Sequence, residues 1–406
     1  MLRRLLLPLL GVASAAAAQD PEPALLVPPA LLEPAAAAPT TSLAPALWSR
    51  SALRQLLSAA EAAREEGLRP SDYGRDALAD IVAAERTGPA VDAVAEHAAR
   101  ALAHDYADGR VTDRQRFDWH IDHSPAALAS LDADLDRAVE GGQVETYLKG
   151  LLPSDPRYAA LRDALRATPR SDATRIAHIR ASMERWRWMP RTLGDDYVLV
   201  NVPAYRLALF QGREEVAAHD VVVGAPKTPT PQIVAYAGSI VVNPWWTLPP
   251  SVLAEGKRYS AAKGYIYTST GGRTVIRQRP GPQNALGRMK IDMPNQYAIY
   301  LHDTPAKAAF AKTDRALSHG CIRVKDIAGL ADELADATQL QSALDGTSTQ
   351  TLQLQRSVPV YIVYFTAGER DGKVVTFADP YGRDTTLNAA LDGNAPTPSS
   401  YAAAAT

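Results

Sequence analysis

Apolar positions change their rhythm near Leu193, and the change divides the chain. Upstream, Leu53, Leu56, Leu57 and Ala60 recur at helical spacing. Ala77, Leu78, Ile81 and Val82 repeat the pattern, as do Val91, Val94, Ala98 and Leu102. Ser71-Asp72, Thr112-Asp113 and Ser124-Pro125 read as helix starts, the last with proline where a first turn tolerates it. No β-rich run interrupts this half, which predicts a helical scaffold over residues 46–190. Downstream, Tyr197–Asn201, Tyr205–Phe210 and Glu215–Gly224 are rich in β-branched, aromatic and aliphatic residues. Gln211-Gly212-Arg213 supplies a turn between the second and third. Ile240–Asn243, Tyr297–His302 and Val358–Phe365 read as further strands, and Asp326–Leu344 as one helix with Ile327, Leu330 and Leu334 on one face. The expected fold class is α+β, with a helical scaffold followed by a mostly β domain over residues 191–386.

The ends have their own patterns. Arg3 and Arg4 precede an apolar run, Leu5–Val12, and Ala16-Ala17-Ala18 offers a small-residue cleavage site. Residues 1–18 therefore read as an export signal, too short an apolar run to span a bilayer. Residues 19–45 are an alanine- and proline-rich linker, and 387–406 are expected to form a disordered tail. No later segment is long and apolar enough to cross a membrane. The expected location is the periplasm, an oxidising space. A net charge of −2 gives no global footing for nucleic acid.

Composition sharpens one point. The chain has a single cysteine, Cys321, within Ser318-His319-Gly320-Cys321-Ile322-Arg323. One thiol cannot form an internal disulfide, so it is an inert buried sulfur, an intermolecular partner or a reactive nucleophile. His319 and Gly320 precede it directly, and His302 ends an apolar run upstream. A histidine beside a thiol raises the thiolate fraction and carries the proton onward. Acyl transfer also develops charge on an oxygen, which backbone N–H groups can meet, and Gly320 lets backbone approach a substrate closely. One cysteine and two histidines match no common zinc spacing, so no metal is expected. His120 and His123, with Asp118 and Asp122, read as a polar helix-start region. His97, His104, His178 and His219 read as isolated.

Tyr300-Leu301-His302-Asp303-Thr304, followed by Ser318-His319-Gly320-Cys321-Ile322-Arg323-Val324, resembles the signature of the L,D-transpeptidases, which cross-link bacterial peptidoglycan through a cysteine acyl-enzyme. Met183-Glu184-Arg185-Trp186-Arg187-Trp188, Asn243-Pro244-Trp245-Trp246 and Pro280–Arg288 resemble the large periplasmic Gram-negative branch, as do Pro359–Tyr364 and Tyr381–Asp384. The resemblance implies a sandwich-like β domain with a short cap at about residues 249–280. It implies Cys321 as nucleophile and His302 as general base, oriented by the backbone carbonyl of Asp303. Amides around His319, Gly320 and Cys321 would form the oxyanion hole, with His319 ordering the site. Ser318, Arg323, Trp245 and Arg288 are the expected substrate contacts. Peptidoglycan tetrapeptide stems are the implied partners, with cell-wall synthases as protein neighbours, and no cofactor is needed.

Two departures stand out. The branch often inserts a peptidoglycan-binding module before the Met-Glu-Arg-Trp segment, where only about Leu165–Ala181 is available here. The cap is also short. Ser251–Lys290 is basic, with Lys257, Arg258, Lys263, Arg273, Arg277, Arg279, Arg288 and Lys290 against Glu255 as its acid before Asp292, so a basic lid would attract stem carboxylates. Trp186 and Trp188 are expected to pack domains together rather than stack on sugars.

Overall fold

The computed structural model describes residues 47–122 and 126–394. The expected leader at 1–18, the linker up to 45, His123 and the chain from 395 onward lie outside the described residues. The N-terminal half is built from α1 (Arg50–Ala62), α2 (Arg75–Ala83), α3 (Pro89–Asp108), α4 (Ala126–Ala129), α5 (Leu131–Glu140), α6 (Val144–Gly150), α7 (Pro156–Ala167) and α8 (Ala173–Arg187). Side chains of Ser49, Asp155 and Asp172 accept first-turn amides of α1, α7 and α8, the usual reason such residues start helices. Leu53, Leu56, Leu102, Leu135 and Leu148 meet in one core. Ser71-Asp72 lies inside a single 3-10 turn, Pro70–Tyr73, and Thr112-Asp113 precedes another, Arg114–Phe117. Ser124-Pro125 lies outside the described residues. This helical half also contributes one two-residue strand: β1 (Trp119–His120) pairs in parallel with Gln232 and Ile233. Two residues are too few to show alternation.

The second half holds β2 (Asp196–Asn201), β3 (Arg206–Gln211), β4 (Glu214–Gly224), β5 (Gln232–Val242), β6 (Trp246–Thr247), β7 (Tyr265–Thr270), β8 (Arg273–Gln278), β9 (Met289–Asp292), β10 (Leu301–His302), β11 (Ala316–Ser318), β12 (Ile322–Val324), β13 (Gln350–Val363), β14 (Ala367–Arg370) and β15 (Lys373–Thr376). The main sheet runs β1-β5-β13-β2-β3-β4-β12-β10-β9, and β9 also pairs with β5, so the path returns on itself. Val198, Val200, Leu207, Ile240, Ile291, Leu301, Ile322 and Val360 point into one core. The alternate residues Tyr197, Leu199, Ala208, Phe210 and Tyr361 face the helical core instead. Burial on both faces explains why these strands read as continuous apolar runs. The single helix expected over Asp326–Leu344 is two, α10 (Ile327–Leu334) and α11 (Ala337–Asp345). Asp336 caps the second by accepting the Gln339 amide at 2.9 Å, which stops the first. Strands β6, β8 and β7 form a separate small sheet around Leu248, Val252 and Ile276, so the cap is a lobe with its own core.

Helix α8 joins the halves. Trp186 stacks on Phe365 at 5.0 Å between centroids, and Trp188 meets Trp119 edge-on at 5.3 Å, so both tryptophans pack. Arg187 bonds Glu184 at 2.6 Å, both fully buried. Arg185, also fully buried, bonds Asp384 at 2.7 Å, and His178 meets the same carboxylate at 2.8 Å. Asp384 sits on α12 (Arg383–Leu391), whose Leu387 and Leu391 are buried in the helical core. The tail expected from 387 is thereby corrected: its first five residues are helix, tied down by that ion pair. Asp384→Ala leaves a fully buried guanidinium without its carboxylate, and unfolding measurements should show a loss of about 3–5 kcal/mol.

Candidate active site

Three short strands set the site. β10 lies between β12, which it meets in parallel, and β9, which it meets antiparallel. Leu301 pairs with Ile322 and His302 with Arg323; across the other edge His302 pairs with Lys290. The Ile322 amide donates to the Tyr300 carbonyl at 3.2 Å, so the register continues to set Tyr300 opposite Cys321. Side chains alternate along a strand, and paired residues share a face. Tyr300, His302, Cys321 and Arg323 therefore stand on one face, as the edge-on contact of the Tyr300 and His302 rings at 5.5 Å confirms.

His302 is buried, and its Nδ1 lies 2.5 Å from the Asp303 carbonyl. A carbonyl only accepts, so Nδ1 carries the proton and Nε2 is the basic nitrogen. Asp303 is itself fixed: its carboxylate accepts the Arg288 amide at 2.8 Å and meets the Lys307 ammonium at 2.5 Å. Gly287 has φ +61°, and a Cβ there would run into that carboxylate, so glycine is required twice over.

The loop before the thiol is wired internally. Gly320 has φ +111°, its carbonyl accepts the Thr230 hydroxyl at 2.6 Å, and its amide donates to Ser318 Oγ at 3.1 Å. Ser318 is buried, and its hydroxyl donates to the Cys321 carbonyl at 2.6 Å. Ser318, expected to touch substrate, has its hydroxyl engaged within the loop. Among the described residues the amides of His319 and Cys321 find no acceptor, leaving two donors of the three expected. His319 reaches out of the loop to Glu255 of the cap at 2.5 Å, and Glu255 also pairs with Lys257 at 2.6 Å. Cys321 Sγ is 3.6 Å from the Ala298 carbonyl.

Residues 195–362 match the family model described as the L,D-transpeptidase catalytic domain, and residues 42–165 match the scaffold domain model. Residues 195–362 are thus similar to an L,D-transpeptidase catalytic domain. A Haemophilus influenzae protein provisionally named an L,D-transpeptidase is 28% identical over 285 residues, covering 62% of this chain and 58% of that protein. The chain thus spans less than two thirds of that relative's length. An L,D-transpeptidase from Mycobacterium smegmatis aligns at 13% identity over 42% of this chain and 58% of its own, with a TM-score of 0.23. One from Enterococcus faecium aligns at 13% identity over 42% and 50%, with a TM-score of 0.20.

Electrostatics refine the picture of this site. Burial pushes the Cys321 thiol above its ordinary range, against the Tyr300 amide and phenol and the Lys290 and Arg323 charges. Burial, then the Arg323 charge, pulls His302 down to about 4, against its bond to Asp303. The resting pair at neutral pH is therefore thiol and neutral imidazole. Arg323 is largely buried, its Nε has no partner among the described residues, and it makes no ion pair there. Trp245 lies under the Arg277 guanidinium at 4.7 Å, at the root of the cap. The guanidinium of Arg288, expected to contact substrate, bonds the Leu344 carbonyl at the end of α11, and its amide donates to Asp303. Among the described residues no group of three or more histidine, cysteine or acidic side chains converges as a metal site. Sequence reasoning gave no role to Tyr300, Thr230 or Glu255. The signal for Glu255 was present, since it is the acid of an otherwise basic stretch.

Gly287→Ala should displace the Asp303 carboxylate and, through the adjoining carbonyl, the His302 ring. Acylation of the thiol, followed by mass spectrometry, should slow by about 10²-fold while the fold persists.

Proposed function

We propose that this chain is a peptidoglycan L,D-transpeptidase that acts through a Cys321 thioester and works outside the cytoplasmic membrane. The register of β10 and β12 supports the reading, because it sets Cys321 and an oriented, unprotonated His302 imidazole on one face. His302 Nε2 takes the proton as Sγ attacks the carbonyl of the third, diamino-acid residue of a tetrapeptide stem. The amides of His319 and Cys321 are the donors for the oxyanion. Collapse breaks the C–N bond, His302 returns the proton to the leaving D-alanine amine, and a thioester remains. The side-chain amine of a second stem then displaces the sulfur, linking third residue to third residue. Arg323, an unpaired cation on the same face, suits a stem carboxylate. The thiol and imidazole supply the chemistry, so the reaction as written needs no cofactor.

Purified tetrapeptide stems test the reading by product mass. Cross-linked dimers are expected. Tripeptides alone would make the same site an L,D-carboxypeptidase, and no turnover with no covalent carbapenem adduct would make it a wall-binding module. Wild type should gain one carbapenem adduct that Cys321→Ala lacks, and His302→Ala should lose about 10²- to 10⁴-fold of turnover.

The depressed His302 also fixes a pH profile. A base with pKa about 4 stays competent through neutral pH and is lost only as pH falls toward 4. Carbapenem acylation should therefore have its acid limb below pH 5; a limb near 6.5 would contradict a buried neutral base.

A further inference from the structure

Each of the two amides assigned to the oxyanion belongs to a peptide unit whose carbonyl is tied to one loop, residues 225–231 between β4 and β5. The Ser318 carbonyl, in the unit that carries the His319 N–H, accepts the Ala225 amide at 2.8 Å and the Thr228 hydroxyl at 3.0 Å. The Gly320 carbonyl, in the unit that carries the Cys321 N–H, accepts the Thr230 hydroxyl at 2.6 Å. Both units are trans, and a trans peptide points its N–H away from its C=O. Fixing the two carbonyls on the loop therefore turns both amides away from it. These are the two that find no acceptor among the described residues, whereas the Gly320 amide between them donates to Ser318 Oγ at 3.1 Å.

We infer that Thr228 and Thr230 are positioning residues for acyl transfer: their hydroxyls hold the Ser318 and Gly320 carbonyls and so aim the His319 and Cys321 amides at the developing oxyanion. This rests on the reading of Cys321 as nucleophile. Donors stabilise that charge only if they already face it, so a misdirected N–H contributes little. Gly320 sits at φ +111°, and glycine leaves the next peptide plane free to rotate, so that plane needs an outside anchor. Thr230 is placed to supply it. Its side chain is fully buried, and its hydroxyl also accepts the Gly224 amide at 2.8 Å, which leaves its one proton for Gly320. The Thr230 amide donates to the Tyr381 hydroxyl at 3.2 Å, and that hydroxyl donates to the Gly224 carbonyl at 2.6 Å. Tyr381, also fully buried, thus staples Thr230 to the end of β4. A Cβ on Gly224 would run into the Thr228 carbonyl and the Thr230 amide, so the loop packs directly on that strand end. Thr230 carries the larger share. Without Thr228 the Ser318 carbonyl keeps the Ala225 amide, whereas the Gly320 carbonyl has no second donor among the described residues.

Two reagents separate the aim of the amides from the integrity of the thiol. A carbapenem is attacked at its ring carbonyl, so its oxygen takes on charge and draws on the amides. Iodoacetamide loses iodide as the sulfur bonds its methylene carbon, and no oxyanion forms. Both adducts are followed on the full chain by intact mass. Thr230→Val should acylate about 10²-fold more slowly than wild type and alkylate at the wild-type rate. Thr230→Ser keeps the hydroxyl and should restore most of the acylation rate, and Thr228→Val should lose less than Thr230→Val. Tyr381→Phe, which removes the staple but keeps both threonines, should show the same split in a milder form, and carries the test if Thr230→Val does not fold. Equal slowing with both reagents would mean that the threonine only holds the thiol in place, and no slowing with either would mean that the amides need no anchor. Each of these results overturns the inference and leaves Cys321 as nucleophile. A wild-type thiol that takes up neither reagent overturns both.

Discussion

The site depends on a parallel ladder two residues long. β10 offers only Leu301 and His302, and β12 meets them with Ile322 and Arg323. Parallel pairing keeps partners on one face, so the register that buries Leu301 against Ile322 also turns His302 and Cys321 toward the same side. A slip of one residue would send the imidazole into the core and the thiol away from it. The closed sheet resists such a slip, because β10 is held between β9 and β12, and β9 is held in turn by β5. Chemistry at this site is set by pairing register before any side chain is tuned.

Tuning then works through burial. A buried imidazole with its Nδ1 fixed on the Asp303 carbonyl is neutral, correctly tautomerised and already desolvated. The Cys321 thiol is likewise kept protonated by burial. This costs nucleophilicity at rest but keeps a lone thiol from reacting indiscriminately. Among the described residues the His319 and Cys321 amides and the Arg323 Nε have no acceptor. The cap reaches the loop before the thiol through the contact of Glu255 with His319.

Much of this was legible in the sequence, for identifiable reasons. The helical half and the β half announced themselves because amphipathic spacing and doubly buried strands leave opposite patterns. Cys321, His302 and Gly320 stood out as candidates because their residue types are rare in combination, and the register sets Cys321 and His302 on one face. β1, β11 and β12 were missed because strands of two or three residues have no periodicity. Ser318 and Arg288 sit inside the right motifs, but motifs do not say which way a side chain turns. The hydroxyl of one and the guanidinium of the other are occupied within the protein. The helix Arg383–Leu391 was invisible because its stability lies in a long-range ion pair with Arg185, 199 residues earlier.

The protonation state of His302 tests the account most directly. Nitrogen NMR of the labelled histidines, assigned through His302→Ala, reads tautomer and charge together. The account predicts a neutral ring protonated at Nδ1 from pH 8 down to about 4. An imidazolium at neutral pH, paired with a preformed thiolate, would contradict it.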